Sequence, residues 1–136
     1  VEITIMPVAL PITVDIDARG RLTPSQISEL RRVIDDERDR TVGRIAAFER
    51  NFADIVASSE GSPPDDEHDP EGATIAFERA QVAALLDQSR AQLVELDAAA
   101  LDLRSGRYGV CRACRAPIAF ERLMARPTAR TCVACA

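Results

Sequence analysis

The sequence predicts a mainly α protein: a long antiparallel helical hairpin, or coiled coil, with a small C-terminal four-cysteine zinc finger. Three observations predict it. Apolar residues recur at three- and four-residue spacing along two long stretches. A Ser/Gly/Pro segment, Ser59-Glu60-Gly61-Ser62-Pro63-Pro64, separates them as a loop. All four cysteines fall after Val110, in two Cys-x-x-Cys pairs.

Residues 1–21 form an N-terminal arm, either flexible or a short strand. Ile12-Thr13-Val14-Asp15-Ile16-Asp17 alternates in polarity, and Pro7, Pro11 and Gly20 break it up. No function is assigned to this arm, and Met6 is a possible start site. Residues 22–106 form the hairpin. Thr23-Pro24-Ser25-Gln26 sets Thr as N-cap, Pro at the first helical position and Gln at the third, which is a capping box. Ile27, Leu30, Ile34, Ile45, Phe48, Phe52 and Ile55 then mark one helix face. The charged run Asp35 to Arg40 interrupts that face, so the middle of this helix is expected to be exposed. Gly43 inside it costs about 1 kcal/mol relative to Ala.

The pattern stops near Ser58, and the hairpin tip is expected over residues 59–72. A second helix then runs to about Arg104. Its seam is Ile75, Val82, Leu86, Ser89, Leu93, Leu96, Ala100 and Leu103, close to a heptad repeat. Gly106 follows where a helix C-cap favours glycine. Each helix is expected to hold roughly 30 residues, on the order of 45–50 Å. Two helices with one apolar stripe each and a short connection pack as antiparallel neighbours. Two helices of a larger bundle formed by dimerisation are the alternative. Phe48, Phe52 and Phe77 are expected to pack in the hairpin core near the tip.

Residues 107–136 carry the metal motif. Cys111-x-x-Cys114 and Cys132-x-x-Cys135 are separated by 17 residues, within the range for a four-cysteine zinc site. Each pair offers two thiolates from one tight turn, and two turns complete a tetrahedron. A closed shell of four thiolates leaves no position for water, so Zn²⁺ there is structural. It replaces a core that so short a segment cannot build. A pair of disulfides and an iron–sulfur cluster are the alternatives.

Charge separates the two ends. Seven acidic residues lie between Asp54 and Glu71 with no basic ones: Asp54, Glu60, Asp65, Asp66, Glu67, Asp69 and Glu71. From Arg104 onward there are seven arginines and one acid, Glu121. Four thiolates with Zn²⁺ take two charges from that end, leaving it at about +4. The expected shape is a rod with an acidic tip and a basic base. An acidic run is either a solvated loop or a probe for a positively charged or metal-containing cavity.

Composition excludes other classes. The net charge of −5 argues against wholesale wrapping of nucleic acid. Tyr108 and Phe120 alone are too few for a stacking platform on single strands, and no direct sequence-specific DNA binding is expected. All 17 basic residues are Arg, a mark of GC-rich codon usage rather than of function. No apolar run is long enough to span a membrane. No signal peptide is recognised, so a cytoplasmic protein is expected. No Ser/His/Asp or Cys/His pair is visible, the lone His68 lies in a loop, and the cysteines are committed to metal. No catalytic residue is therefore assigned, and an enzyme is not expected.

Tyr108-Gly109-x-Cys111-x-x-Cys114, followed by Ile118, Arg122-Leu123, Ala125, Pro127 and Cys132-x-x-Cys135, resembles the zinc finger of the DksA/TraR family. The preceding hairpin is similar to that family's coiled coil in position and length. The resemblance implies a transcription regulator that binds bacterial RNA polymerase. Its base would sit at the rim of the secondary channel, and its tip would point toward the catalytic Mg²⁺. It also implies tip residues Asp65, Asp66, Asp69 and Glu71 as the partner-binding set. The family's tip motif is Asp-x-x-Asp-x-Ala; Asp66 and Asp69 supply both aspartates, and Glu71 stands in place of Ala. Arg115 replaces the Gly usual after the second cysteine. Some members act with the alarmone ppGpp through a C-terminal helix, which a chain ending one residue past Cys135 lacks. Action linked to ppGpp is therefore not expected to be intact. A zinc-stapled scaffold for another protein and a nucleic-acid-binding zinc module are the other readings.

Overall fold

The computed structural model describes residues 20–61 and 70–136. Most of the expected arm, and Asp65, Asp66, His68 and Asp69 of the tip, lie outside the described residues.

Helix α1 (Pro24–Glu60) begins at the capping box read from the sequence. The Gln26 amide donates to Thr23 Oγ1 at 3.2 Å, and the Thr23 amide donates to Gln26 Oε1 at 2.9 Å. Pro24 has no N–H, so three amides are left unpaired at this helix start, and two of them are satisfied in this way. Helix α2 (Pro70–Ser105) starts on a proline whose fixed φ suits a first helical position. The helices hold 37 and 36 residues, or about 55 Å each. Both reach further into the 59–72 segment than the periodicity predicts. At the end of α1, the Ser58 and Ser59 hydroxyls donate to the carbonyls of Asp54 (2.6 Å) and Val56 (2.7 Å), so both serines fold their side chains back on the last turns of the helix.

The two helices run antiparallel. Arg38 pairs with Asp97 at 2.6 Å, Arg44 donates to Gln92 at 3.0 Å, and Glu49 pairs with Arg90 at 3.0 Å. One number rises as the other falls. The seam is the predicted one on α2: Val82, Leu86, Ser89, Leu96 and Leu103 are buried, and Ala99 is buried more deeply than its neighbour Ala100. On α1 the buried residues are Leu30, Ile34 and Thr41.

Two expectations change. The charged middle of α1 is partly covered rather than simply exposed. Asp35 and Asp36 face solvent, but Thr41 is fully buried and donates to the Glu37 carbonyl at 2.8 Å. Glu37 accepts from Gln92 of α2 at 3.1 Å, so the seam there turns polar rather than open. Phe77 is not in the core. It is 69% exposed, because it stands two residues after Ile75 and therefore on the back of α2. Phe48 and Phe52 are half-buried.

The C-terminal module docks on the helix ends. It contains α3 (Phe120–Ala125) and a 3₁₀ turn at Val133–Cys135. Leu30 of α1 packs with Cys111, Ile118 and Leu123, with Leu22 and Tyr108 at the margin. Tyr108 also touches the adjoining cluster of Ile34, Ala99 and Leu103, so one ring joins finger to hairpin. Among the described residues there is no strand, and no helix is long and apolar enough to cross a membrane.

Candidate metal centre

Two tight turns on a packed floor build the centre. After α2 ends, Gly106 takes a left-handed φ of 74°, and the amides of Arg107 and Tyr108 both donate to the Asp102 carbonyl, at 3.0 and 3.2 Å. Gly109 is also left-handed, at φ 83°. A Cβ there would lie 3.2 Å from Leu22 Cδ1 and 3.5 Å from Leu123 Cδ1, so glycine lets the turn settle on the finger's core.

The first cysteine turn hangs between Val110 and Pro117, which form a single antiparallel bridge. The Cys111 amide donates to the Ala116 carbonyl and the Ile118 amide to the Gly109 carbonyl, both at 2.8 Å. Arg115 closes the turn with its amide 3.0 Å from the Cys111 carbonyl and a left-handed φ of 64°. A non-glycine residue holds that conformation at about 1 kcal/mol, which is why Gly suits this place. In the second turn the Cys135 amide donates to the Cys132 carbonyl at 3.1 Å. Arg122 Nε donates to the Thr131 carbonyl at 2.9 Å and fixes the approach. The Arg112 amide, 2.9 Å from the Arg130 carbonyl, ties one turn to the other.

These bonds bring all four sulfurs within 4.8 Å of one another, as the spacing predicts. The thiols are free, and Cys114 Sγ lies 3.7 Å from Cys132 Sγ. A disulfide needs about 2.05 Å. A tetrahedron with Zn–S of about 2.3 Å has S···S edges of about 3.8 Å. The arrangement is therefore a metal cage and not a pair of disulfides. Cys111 is fully buried beneath the site, while Cys114 and Cys135 are exposed.

The thiols also differ electrostatically. Backbone amides of Cys114 and then Cys132 directed at Cys111 hold its thiol down at about 6. Hydrogen bonds from Cys135 to the sulfurs of Cys132 and Cys114 push the Cys135 thiol up to about 12. Four thiolates so close together need a dication to be stable, and Zn²⁺ fits the donor set. Cys111, Cys114, Cys132 and Cys135 would hold it, and its contribution is to cross-link the two turns.

Tyr108 was legible only as part of a motif. Its hydroxyl donates to the Pro127 carbonyl at 2.8 Å, and burial pushes the phenol up to about 12. Beside it, Arg107, Arg112, Arg115 and Arg130 line an open cleft of about 380 Å³. The basic base is thus a surface, although Arg130 is shared with Glu95 at 3.2 Å and Arg107 with Asp102 at 3.5 Å. At the other end, Glu71 lies in the first turn of α2, where a carboxylate suits the helix dipole.

No curated protein matches the chain by sequence. A solved structure, that of the transcription factor DksA2 from Pseudomonas aeruginosa, matches with a TM-score of 0.72 and 25% identity, over 93% of this chain and 88% of that one. Residues 106–136 match the family described as the prokaryotic dksA/traR C4-type zinc finger, so the module that closes this hairpin is a structural zinc finger of the dksA/traR kind.

Proposed function

We propose that this protein is a transcription factor that binds bacterial RNA polymerase and carries its acidic hairpin tip into the secondary channel. The observation behind this reading is the union of a dksA/traR-type finger with a DksA2-like fold over nearly the whole chain. Cys111, Cys114, Cys132 and Cys135 serve as zinc ligands that fix the base. Tyr108 and the Leu30 cluster bind that base to the helices, so the finger and the shaft move as one piece. The arginines of the base meet the channel rim. Asp65, Asp66, Asp69 and Glu71 present carboxylates to the catalytic region, with no bond-making step of their own. Glu71 in the family's Ala position is expected to alter the effect on initiation more than the binding.

Co-purification with polymerase from the native cytosol tests the reading, with Asp66→Asn/Asp69→Asn as the companion variant. Core subunits are expected at near-stoichiometric yield with the wild-type chain. The variant should keep its zinc and its binding while losing its effect on transcription in vitro. A folded, zinc-loaded chain that captures no polymerase would sink the proposal and leave the scaffold reading.

A further inference from the structure

Helix α2 has a second apolar face whose large side chains no described residue buries. Phe77, Ala80, Ala84, Ala91, Val94, Ala98 and Leu101 follow alternating steps of three and four residues, with Asp87 completing the repeat. At 3.6 residues per turn this line lies about 150° round the helix from the buried seam. Its three large members are outward: Phe77 is 69% exposed, Val94 66% and Leu101 52%. The finger approaches along the neighbouring edge, through Arg130 on Glu95, and leaves Val94 and Leu101 in solvent. The back of α1, by contrast, carries Arg32, Asp35, Asp39, Arg50 and Asp54. One helix of the pair is built for a single neighbour and the other for two.

We propose that the second neighbour is another copy of this chain, with its α2 packed antiparallel on this one. The stripe is self-complementary about a two-fold axis near Ser89. Phe77 then meets Leu101 of the second copy, Ala84 meets Val94, Ala80 meets Ala98, and Asp87 meets Ala91. The alanines allow close approach of the helices, and the large residues fill the outer layers. Charge selects this direction. A parallel pair sets Asp87 against its own copy, a like-charge contact. The antiparallel pair sets Asp87 level with Arg90 of the second copy, whose nearer partner in its own chain is Glu49 at 3.0 Å, against 3.9 Å for Asp87. It also brings Asp54, Glu60 and Glu71, at the far end of each hairpin, toward the arginine base of the other copy. The contact spans about 36 Å of helix. The inference does not depend on the polymerase reading.

Sedimentation of the full zinc-loaded chain tests it. The mass is expected to rise from 14.8 kDa toward twice that value as the concentration reaches about 300 µM, with dissociation in the micromolar range. Added salt should weaken the association, because much of the selectivity is electrostatic. Val94→Glu should weaken it by roughly tenfold or more, with unchanged helix content and zinc stoichiometry, because Val94 is outward. Adding Ala84→Lys to Val94→Glu should recover most of that loss, since only the antiparallel register sets position 84 against position 94. A monomer at every concentration overturns the proposal. So does a dimer indifferent to Val94→Glu, or a failure of Ala84→Lys to rescue.

Discussion

The half of the hairpin near the finger and the half near the tip are made from the same kind of sequence but are packed differently. Near the finger, Leu30, Ile34, Leu96 and Leu123 are almost wholly buried, and side chains of α1, α2, α3 and the turn between α2 and α3 pack around Leu30, Ile34 and Leu123. Beyond Thr41 on α1 and before Val82 on α2, no described residue reaches that burial. Ile45, Phe48, Phe52 and Ile55 are half-covered, because two helices alone cannot enclose a side chain on all sides. A third layer makes the difference, and the finger supplies it. The base is a small globular core; the distal half is a two-stranded shaft whose opening costs less and costs progressively less toward the tip.

The largest test of that difference is removal of the metal. Thiolate coordination contributes on the order of 10 kcal/mol to a structural zinc site, more than Ile118 and Leu123 can replace. Chelation is expected to collapse the dispersed amide resonances of residues 107–136 and to expose Leu30 and Ile34. Most of the helical circular dichroism should survive in the shaft. Acid should act in the same way, since protons compete with Zn²⁺ for the thiolates and metal is released as pH falls. A finger whose amide spectrum is indifferent to chelation would erase the distinction between core and shaft.

A pair of truncations sharpens the comparison. Leu96→Ala removes a side chain that is 1% exposed, and the cavity should destabilise the chain by about 3 kcal/mol. Phe52→Ala removes a larger but half-covered ring and is expected to cost about 1 kcal/mol. Chemical denaturation of both variants measures the two values. Equal losses would mean that the distal half is as well packed as the base.

Local chemistry made much of this legible from sequence. The capping box at Thr23, the C-cap at Gly106 and the metal cage each depend on residues close together in the chain, and each stands where the motif puts it. The seam on α2 was equally plain because Val, Leu and Ser recur in step. Three features were not legible. Pro70 reads as a breaker in an acidic run, yet it is the first residue of a helix. Phe77 reads as core by its size, but periodicity tells which residues share a face and not which face is used. With apolar residues on both sides of α2, that choice belongs to tertiary structure. The docking of the finger on Leu22 and Leu30 joins residues roughly a hundred positions apart, and no local pattern announces it.

Tyr108 offers a direct report on that docking, because it is the only tyrosine and the chain has no tryptophan. Burial pushes its pKa up to about 12 in the folded protein, against an ordinary value of 10.0. Folding therefore favours the neutral phenol. This contribution is complete below pH 10.0 and is lost as pH climbs through about 12. The ionised form also has no proton to donate to the Pro127 carbonyl, 2.8 Å away. Tyrosinate absorbance should rise with a midpoint near 12 in the zinc-loaded chain and near 10.0 in denaturant. Chelation should bring the midpoint down toward the denatured value, since the ring loses the finger that covers it. A native midpoint at the denatured value would mean that the ring is solvated and the finger is not seated on the hairpin. A low midpoint only after metal removal ties the base's third layer to the zinc.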